Sequence, residues 1–446
     1  MSKRSASGST LTRLRLNGAL SVVLLAVLVG WVVPWATPPA HADSAGEVRA
    51  LWVDAFHDGI KSPAQATKLV ADARRANVNT LLVQVRKRGN LYYPGGPEAV
   101  AADQAAGYDA LRTLLDAARS GSPRLEVQAW IATYPIWSNR GAPPGEPDHP
   151  FNRHGPNATG DDNWLMLRDD GESWTGDGYW LDPGHPAVSA YLVDLATDLV
   201  RRYDVDGLHL DLIRYYQGDG VGGGAWDRRW GYNPASVSRF DLQYGRVGQP
   251  DPNDPLWVQF RRDQVTDLLR RVRESTLAAR PTLKVSGAVI GSWGPGPQSD
   301  ADWLNTPAYG YVFQDWRGWL EQGLLDQAYV MSYYREYVPT QAASLDRWLA
   351  WERGHSYGRQ VIAGLGSYLN APADNVRQLR RALAAGPDGS RLAGVALYSY
   401  ASPDASRANA DPGDDSPDGF MWDVLTRPAP ENDFAPPFAE PVAAPR

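Results

Sequence analysis

Between Asp206 and Tyr216 the chain reads Asp-Gly-Leu-His-Leu-Asp-Leu-Ile-Arg-Tyr-Tyr, and its polar residues are spaced for chemistry. Side chains of an extended strand alternate between faces, so His209 and Asp211 share one face while Leu208, Leu210 and Leu212 take the other. A carboxylate on an otherwise apolar strand is costly to desolvate and needs a partner or a task. Arg214, Tyr215 and Tyr216 follow directly, a cation and two phenols suited to a sugar-binding cleft. The plain alternative is a strand-end aspartate that caps a loop.

The same parity holds in three other strand-like runs. Leu51 and Val53, Val83 and Val85, and Val127 and Ile131 suit contact with outer helices. The opposite parity carries Trp52 and Asp54, Gln84 and Arg86, and Gln128 and Trp130, so four strands are expected to send polar or aromatic groups toward one axis. Glycosidic cleavage needs two carboxylates about 5–9.5 Å apart, one ionised and one holding its proton. Asp211 is the first candidate, Asp54 the preferred second and Glu336, just past the sixth strand, the next. Asp54 as a structural hydrogen-bond acceptor and Glu336 as a solvated loop residue are the competing readings. Arg86 or Arg214 beside Asp211 would hold it charged, and an aromatic wall would raise the pKa of the other acid. Sugar contact is assigned to Arg86, Trp130, His209, Arg214, Tyr215, Trp293, Tyr333 and Tyr334.

These residues need a scaffold, and strand and helix signals alternate after Ala45 without a break. Strands are expected at Val48–Phe56, Thr80–Arg86, Leu125–Ala132, Gly207–Ile213, Leu283–Ile290, Asp326–Tyr334, Gln360–Tyr368 and Gly394–Tyr400. Helical periodicity marks Ala64–Ala76, Asp109–Arg119, Pro186–Tyr203, Leu256–Ala279, Val312–Gly323, Ala342–Arg353 and Asp374–Ala384, with a short eighth at Asp418–Leu425. Eight such units predict an α/β fold, a (β/α)₈ TIM-type barrel over 46–426. The long connections 133–185 and 214–255 leave the carboxyl ends of strands three and four. Their Trp137, Trp164, Trp174, Tyr179, Trp180, Trp226, Trp230 and Tyr232 are expected to wall a cleft. Residues 427–446 read as a Pro- and Ala-rich, ordered-to-flexible tail without function.

Residues 1–42 read as a signal peptide: Lys3, Arg4, Arg13 and Arg15, then the apolar run Leu20–Val33, then Ala40-His41-Ala42 as a cleavage site. Removing them leaves 40 Lys+Arg against 51 Asp+Glu, a net of −11, which argues against nucleic acid and anionic lipid as partners. The expected location is extracytoplasmic and bacterial, with no membrane partner once the leader is cleaved. The chain has no Cys, which excludes thiol catalysis and zinc–thiolate sites. No HExxH pair, serine elbow or phosphate cradle is present, and a metal on Asp54, His209 and Asp211 has no supporting motif, so neither metal nor cofactor is assigned. Eighteen Trp and 21 Tyr against eight Phe favour half-wet surfaces and hence a polysaccharide or oligosaccharide ligand.

Four segments carry a family resemblance: Arg49-Ala-Leu-Trp-Val-Asp54, Val83-Gln-Val-Arg-Lys-Arg-Gly89, Trp180-Leu-Asp-Pro-Gly-His-Pro186 and Tyr203-Asp-Val-Asp-Gly-Leu-His-Leu-Asp-Leu-Ile-Arg-Tyr215. The chain resembles the glycosyl-hydrolase-like family 10 barrels, exported bacterial proteins, over roughly residues 46–400. The resemblance implies a TIM-type barrel acting on glycan, with peptidoglycan among the candidates. The expected function is that of an exported glycoside hydrolase with paired carboxylates. The alternative is a catalytically silent glycan-binding barrel.

Overall fold

A computed structural model describes residues 46–218, 226–405 and 420–445. The expected leader at 1–42 lies outside the described residues. Eight parallel strands form the frame: β1 Val48–Val53, β2 Thr80–Lys87, β3 Glu126–Ala132, β4 Gly207–Asp211, β5 Lys284–Ile290, β6 Gln327–Met331, β7 Gln360–Gly366 and β8 Gly394–Tyr398. Each pairs with the next, and β1 pairs with both β2 and β8, so the sheet closes on itself. The fold is a (β/α)₈ barrel, as the eightfold alternation predicted. Closure removes every free edge of the parallel sheet.

Helices α1 Pro63–Arg75, α2 Ala110–Arg119, α3 Pro186–Arg202, α4 Pro255–Ala279, α5 Trp316–Glu321, α6 Pro339–Gly354, α7 Pro372–Leu383 and α8 Phe420–Thr426 follow the strands in order. Their starts are written locally. Ser62 accepts from the Gln65 N–H and Asp254 from those of Leu256 and Trp257, with Pro63 and Pro255 opening the first turns. Short elements missed in the sequence sit inside the long connections: helix Pro234–Tyr244 after β4, and helices Asp300–Leu304 and Pro307–Gly310 after β5. The two helices after β5 are too short to show a periodic pattern, and Pro234–Tyr244 buries only Ser236 and Phe240, so it carries no apolar stripe to read.

Leu51, Val53, Val83, Val127, Leu208 and Leu210 pack outward with helix residues in the main apolar core. The barrel interior is a separate cluster containing Trp52, Leu82, Trp130, Tyr329 and Ile362. Gly364 of β7 makes room for it, since a Cβ there would stand 2.8 Å from the Trp52 ring. Below this layer runs a polar chain. His209 Nε2 accepts from the Trp52 indole at 3.1 Å and His209 Nδ1 lies 2.8 Å from Ser286 Oγ. The Ser286 hydroxyl donates to Gln128 Oε1 at 2.6 Å, and Gln128 Nε2 donates to Glu126 and Gln327 at 2.7 and 2.6 Å. The residues after Arg427 cross the amino-terminal ends of the strands. Phe438 is buried under Arg49, and Lys284 Nζ bridges Glu126 (2.6 Å) and the Pro445 carbonyl (2.5 Å).

Candidate active site

Asp211 ends β4 and is paired in register with Ala132 of β3, two residues beyond the Trp130–His209 pair. The Trp130 indole donates to Asp211 Oδ2 at 3.2 Å, and the Leu212 N–H donates to Oδ1 at 2.6 Å. Leu212 has φ of 51°, a left-handed conformation that is strained for a γ-branched residue. Trp293, after β5, has φ of 71° and is 37% exposed. Both strained residues line the same opening, and strain of this kind collects at functional sites.

That opening is a cleft of about 610 Å³ at the carboxyl ends of the strands. Its rings are Phe56, Trp130, Trp293, Tyr333, Tyr368 and Tyr398; its charged groups are Asp211, Arg88, Arg214 and Arg335. A concave, aromatic site with a few convergent polar groups is the usual form of a small-ligand or sugar site. Asp211 stays partly open to the cleft. Burial among the surrounding rings and strand ends raises its pKa above the ordinary carboxyl value, and Arg214, the Leu212 N–H and the Trp130 indole offset only part of that rise. Arg214 is brought down to about 10 by burial and so stays cationic at neutral pH.

Asp54 shows the opposite balance, which reverses the expectation that an arginine keeps Asp211 charged and leaves the proton on the second acid. Burial works to raise its pKa, but His57 and the backbone N–H groups of Phe56 and His57 outweigh it, and the carboxyl is lowered overall. Asp54 Oδ1 accepts from Phe56 N (2.9 Å), His57 N (3.2 Å) and His57 Nδ1 (2.8 Å). Asp54 is 5% exposed and is not among the cleft-lining residues. Tyr398 lies in the field of both acids: burial first, then Asp54 and Asp211, raise its pKa, so its phenol keeps its proton.

Of the residues expected to contact sugar, Trp130, Arg214, Trp293 and Tyr333 line the cleft. Four others do not. Arg86 is fully buried against Glu98, with Nε 2.8 Å from Oε2. A bulge between Gln84 and Arg86 shifts the register, so Arg86 pairs with the outward residue Ile131 instead of continuing the inward parity. His209 is sealed in the polar chain below the cleft floor, its pKa lowered to about 3 by burial. Tyr215 is packed against Phe313, and the Tyr334 hydroxyl donates to the Gly294 carbonyl at 2.6 Å beneath the surface. Glu336 ion-pairs with Arg381 outside the cleft.

The loop aromatics also pack differently from expectation. Trp180, Tyr216 and Trp230 stack edge to face at 5.5 and 5.3 Å, and Trp226 lies 4.8 Å behind Trp293. They form a second layer, and no described aromatic of 133–185 or 214–218 and 226–255 lines the cleft. Tyr398 was missed, although it sits at the inward parity of β8 and the alternation rule used on the first four strands would have found it. Arg88, Arg335 and Tyr368 stand on connections after strands, where sequence periodicity carries no signal.

A closed (β/α)₈ barrel with an aromatic cleft and a recessed acid at its carboxyl-terminal mouth defines a glycoside-hydrolase-type barrel. The chain belongs to the Glycosyl hydrolase-like 10 family, which matches residues 47–370. It is 24% identical over 364 residues to the Bacillus subtilis glycosyl hydrolase YngK, covering 77% of this chain and 64% of that protein. It is likewise 24% identical over 272 residues to the Escherichia coli glycosyl hydrolase DigH, covering 57% and 54% respectively. The chain thus matches less than two thirds of the length of either relative. Among solved structures, the PgaB (BpsB) glycoside hydrolase domain from Bordetella bronchiseptica superposes with a TM-score of 0.55 at 14% identity over 79% of this chain and 94% of that one. The β-amylase catalytic domain from Paenibacillus polymyxa gives 0.51 at 10% identity over 80% and 93%. Both share the barrel. Among the described residues, no helix is long and apolar enough to cross a membrane.

Proposed function

We propose that this protein is an exported glycoside hydrolase that cleaves a polysaccharide, with peptidoglycan glycan strands among the candidates, and that Asp211 protonates the leaving oxygen. One observation carries the reading: Asp211 is partly open on the floor of an aromatic cleft, where burial holds its carboxyl above its ordinary pKa. An acid that holds its proton more tightly than an ordinary carboxyl is suited to departure of a sugar oxygen. Asp54 is the second carboxylate of the proposal. Its environment lowers its pKa while that of Asp211 is raised, the separation that two-carboxylate cleavage uses. Export rests on the leader-like residues 1–42.

The glycan-binding alternative has its own supporting observation. Among the described residues lining the cleft, Asp211 is the one carboxylate, and Asp54 Oδ1 is already engaged by three N–H donors. Incubation with purified cell-wall sacculi and soluble polysaccharides, followed by product analysis, separates the readings. New reducing ends that vanish with Asp211→Asn support hydrolysis; tight binding with no product supports the silent barrel.

A further inference from the structure

The cleft holds a cation that the protein itself leaves largely unanswered. Arg214 is 5% exposed and lines the cleft between two indoles, its guanidinium carbon 5.3 Å from the Trp293 ring and 5.8 Å from the Trp180 ring. Among the described residues its one hydrogen bond is from Nη1 to Gln217 Oε1 at 2.6 Å, and its buried Nε has no acceptor there. A desolvated guanidinium needs acceptors around its fork, either a carboxylate or several carbonyls. Arg86 in this same chain has the Glu98 carboxylate, and Arg261, buried as deeply, has the Arg228, Trp230 and Pro252 carbonyls.

Asp211 does not fill the role. Each group feels the other's charge, but they make no direct ion pair, and the Asp211 carboxyl stays above its ordinary pKa. A second guanidinium, Arg335, lines the same cleft from the loop after β6, exposed and, among the described residues, without a side-chain ion pair. Arg88, the third, is tied to Asp177 at 3.3 Å. The cleft of a chain with net charge −7 therefore concentrates positive charge around its single described acid.

We propose that Arg214, with Arg335 at the rim, is a specificity element that binds a carboxylate carried by the sugar substrate, so that the preferred glycan is anionic. The planar guanidinium fork matches a carboxylate, and the flanking indoles keep water from competing for it. One desolvated cation and one exposed cation, with Asp211 and Asp177 both in the field of Arg214, suit a monoanionic group better than a dianionic phosphate. Two kinds of glycan carry such a group: those with uronic acid rings, and amino-sugar strands with a lactyl ether carboxylate. Glycan as the ligand class rests on the proposed function above.

The test is titration of the full chain by calorimetry with two matched pairs of probes: oligogalacturonate and its methyl ester, and peptide-free peptidoglycan glycan and its methyl ester, with chitohexaose as neutral reference. The acid member of one pair is expected to bind about tenfold or more tightly than its ester. The pair that shows the difference identifies the source of the carboxylate. Arg214→Gln should bring that ratio to about two or below, and Arg335→Gln should lower it partway. If Arg214→Gln fails to fold, the wild-type ratio and exposed Arg335→Gln still decide. Equal binding of acid and ester in both pairs, chitohexaose binding as tightly as either acid, or no binding of any probe overturns the inference. Product analysis on the same samples judges hydrolysis separately: acid preference without cleavage removes the hydrolase reading alone, and cleavage without acid preference removes this one alone.

Discussion

The Trp130 indole reaches from β3 to Asp211 at the end of β4, placing Nε1 3.2 Å from Oδ2. This contact ties the deepest ring of the cleft to its acid. The indole can only donate, so it steadies the carboxyl in either protonation state without taking its proton.

Asp211→Asn should leave the fold intact and lower glycan turnover by about a hundredfold or more. Burial already disfavours the ionised side chain, so a neutral amide of the same shape carries no added desolvation cost. Thermal melting together with reducing-end release measures both halves; near-normal turnover by a folded variant would remove Asp211 from the mechanism.

The pH profile follows from the opposite shifts of the two acids. Asp211 must be protonated to act, so activity should fall as pH rises through its raised pKa. Asp54 must be ionised, so activity should fall as pH drops through its lowered one. A plot of kcat/KM against pH should be a bell wider than two ordinary carboxyls would give. A profile still rising well above neutrality would contradict Asp211 as the acid.

The Asp54–His57 contact should show a window in stability. Asp54 is lowered from 3.8, so its contribution is fully present above 3.8 and disappears as pH falls through the folded value. His57 is raised from 6.5, so its contribution is complete below 6.5 and disappears as pH rises through the folded value. His57→Ala should therefore depress Tm most between about pH 4 and 6.5 and least at alkaline pH. A deficit independent of pH would mean that lost packing, not charge, is responsible.

His209 is expected to matter for stability and not for protonation chemistry. Since the Trp52 indole donates to Nε2, the ring hydrogen is on Nδ1, pointing to Ser286 Oγ. His209→Ala leaves the Trp52 indole N–H without its acceptor, while Ser286 keeps Gln128, and opens a cavity in the barrel, a cost of about 2–4 kcal/mol by denaturant titration. The variant protein that remains folded should keep the wild-type pH profile.

Arg86→Met should cost about 3–5 kcal/mol because it strands Glu98 as a buried charge, and KM for glycan should be unchanged. The double variant Arg86→Met with Glu98→Leu should recover much of the loss. A KM increase in either would return Arg86 to the binding site.

The alternation of strand and helix signals, repeated eight times, already specified the barrel: period-two and helical periodicities are local, and eight parallel strands joined by helices have few ways to bury both faces. The same period placed Trp130 and Asp211 inward and at the mouth. It failed at Arg86, where one bulged residue in β2 reversed the face, an event with no signature in residue type. It also could not divide the inward residues by depth. His209 and Asp211 share a face two residues apart, yet the first is sealed below the Trp52 ring and the second is open to the cleft. That boundary is drawn by rings from β1, β3, β6 and β8, and by Leu212 turning the chain after β4. Local sequence therefore determined which residues face the axis. Tertiary packing decided which of them water and sugar can reach, because access depends on volume filled by residues far apart in the chain.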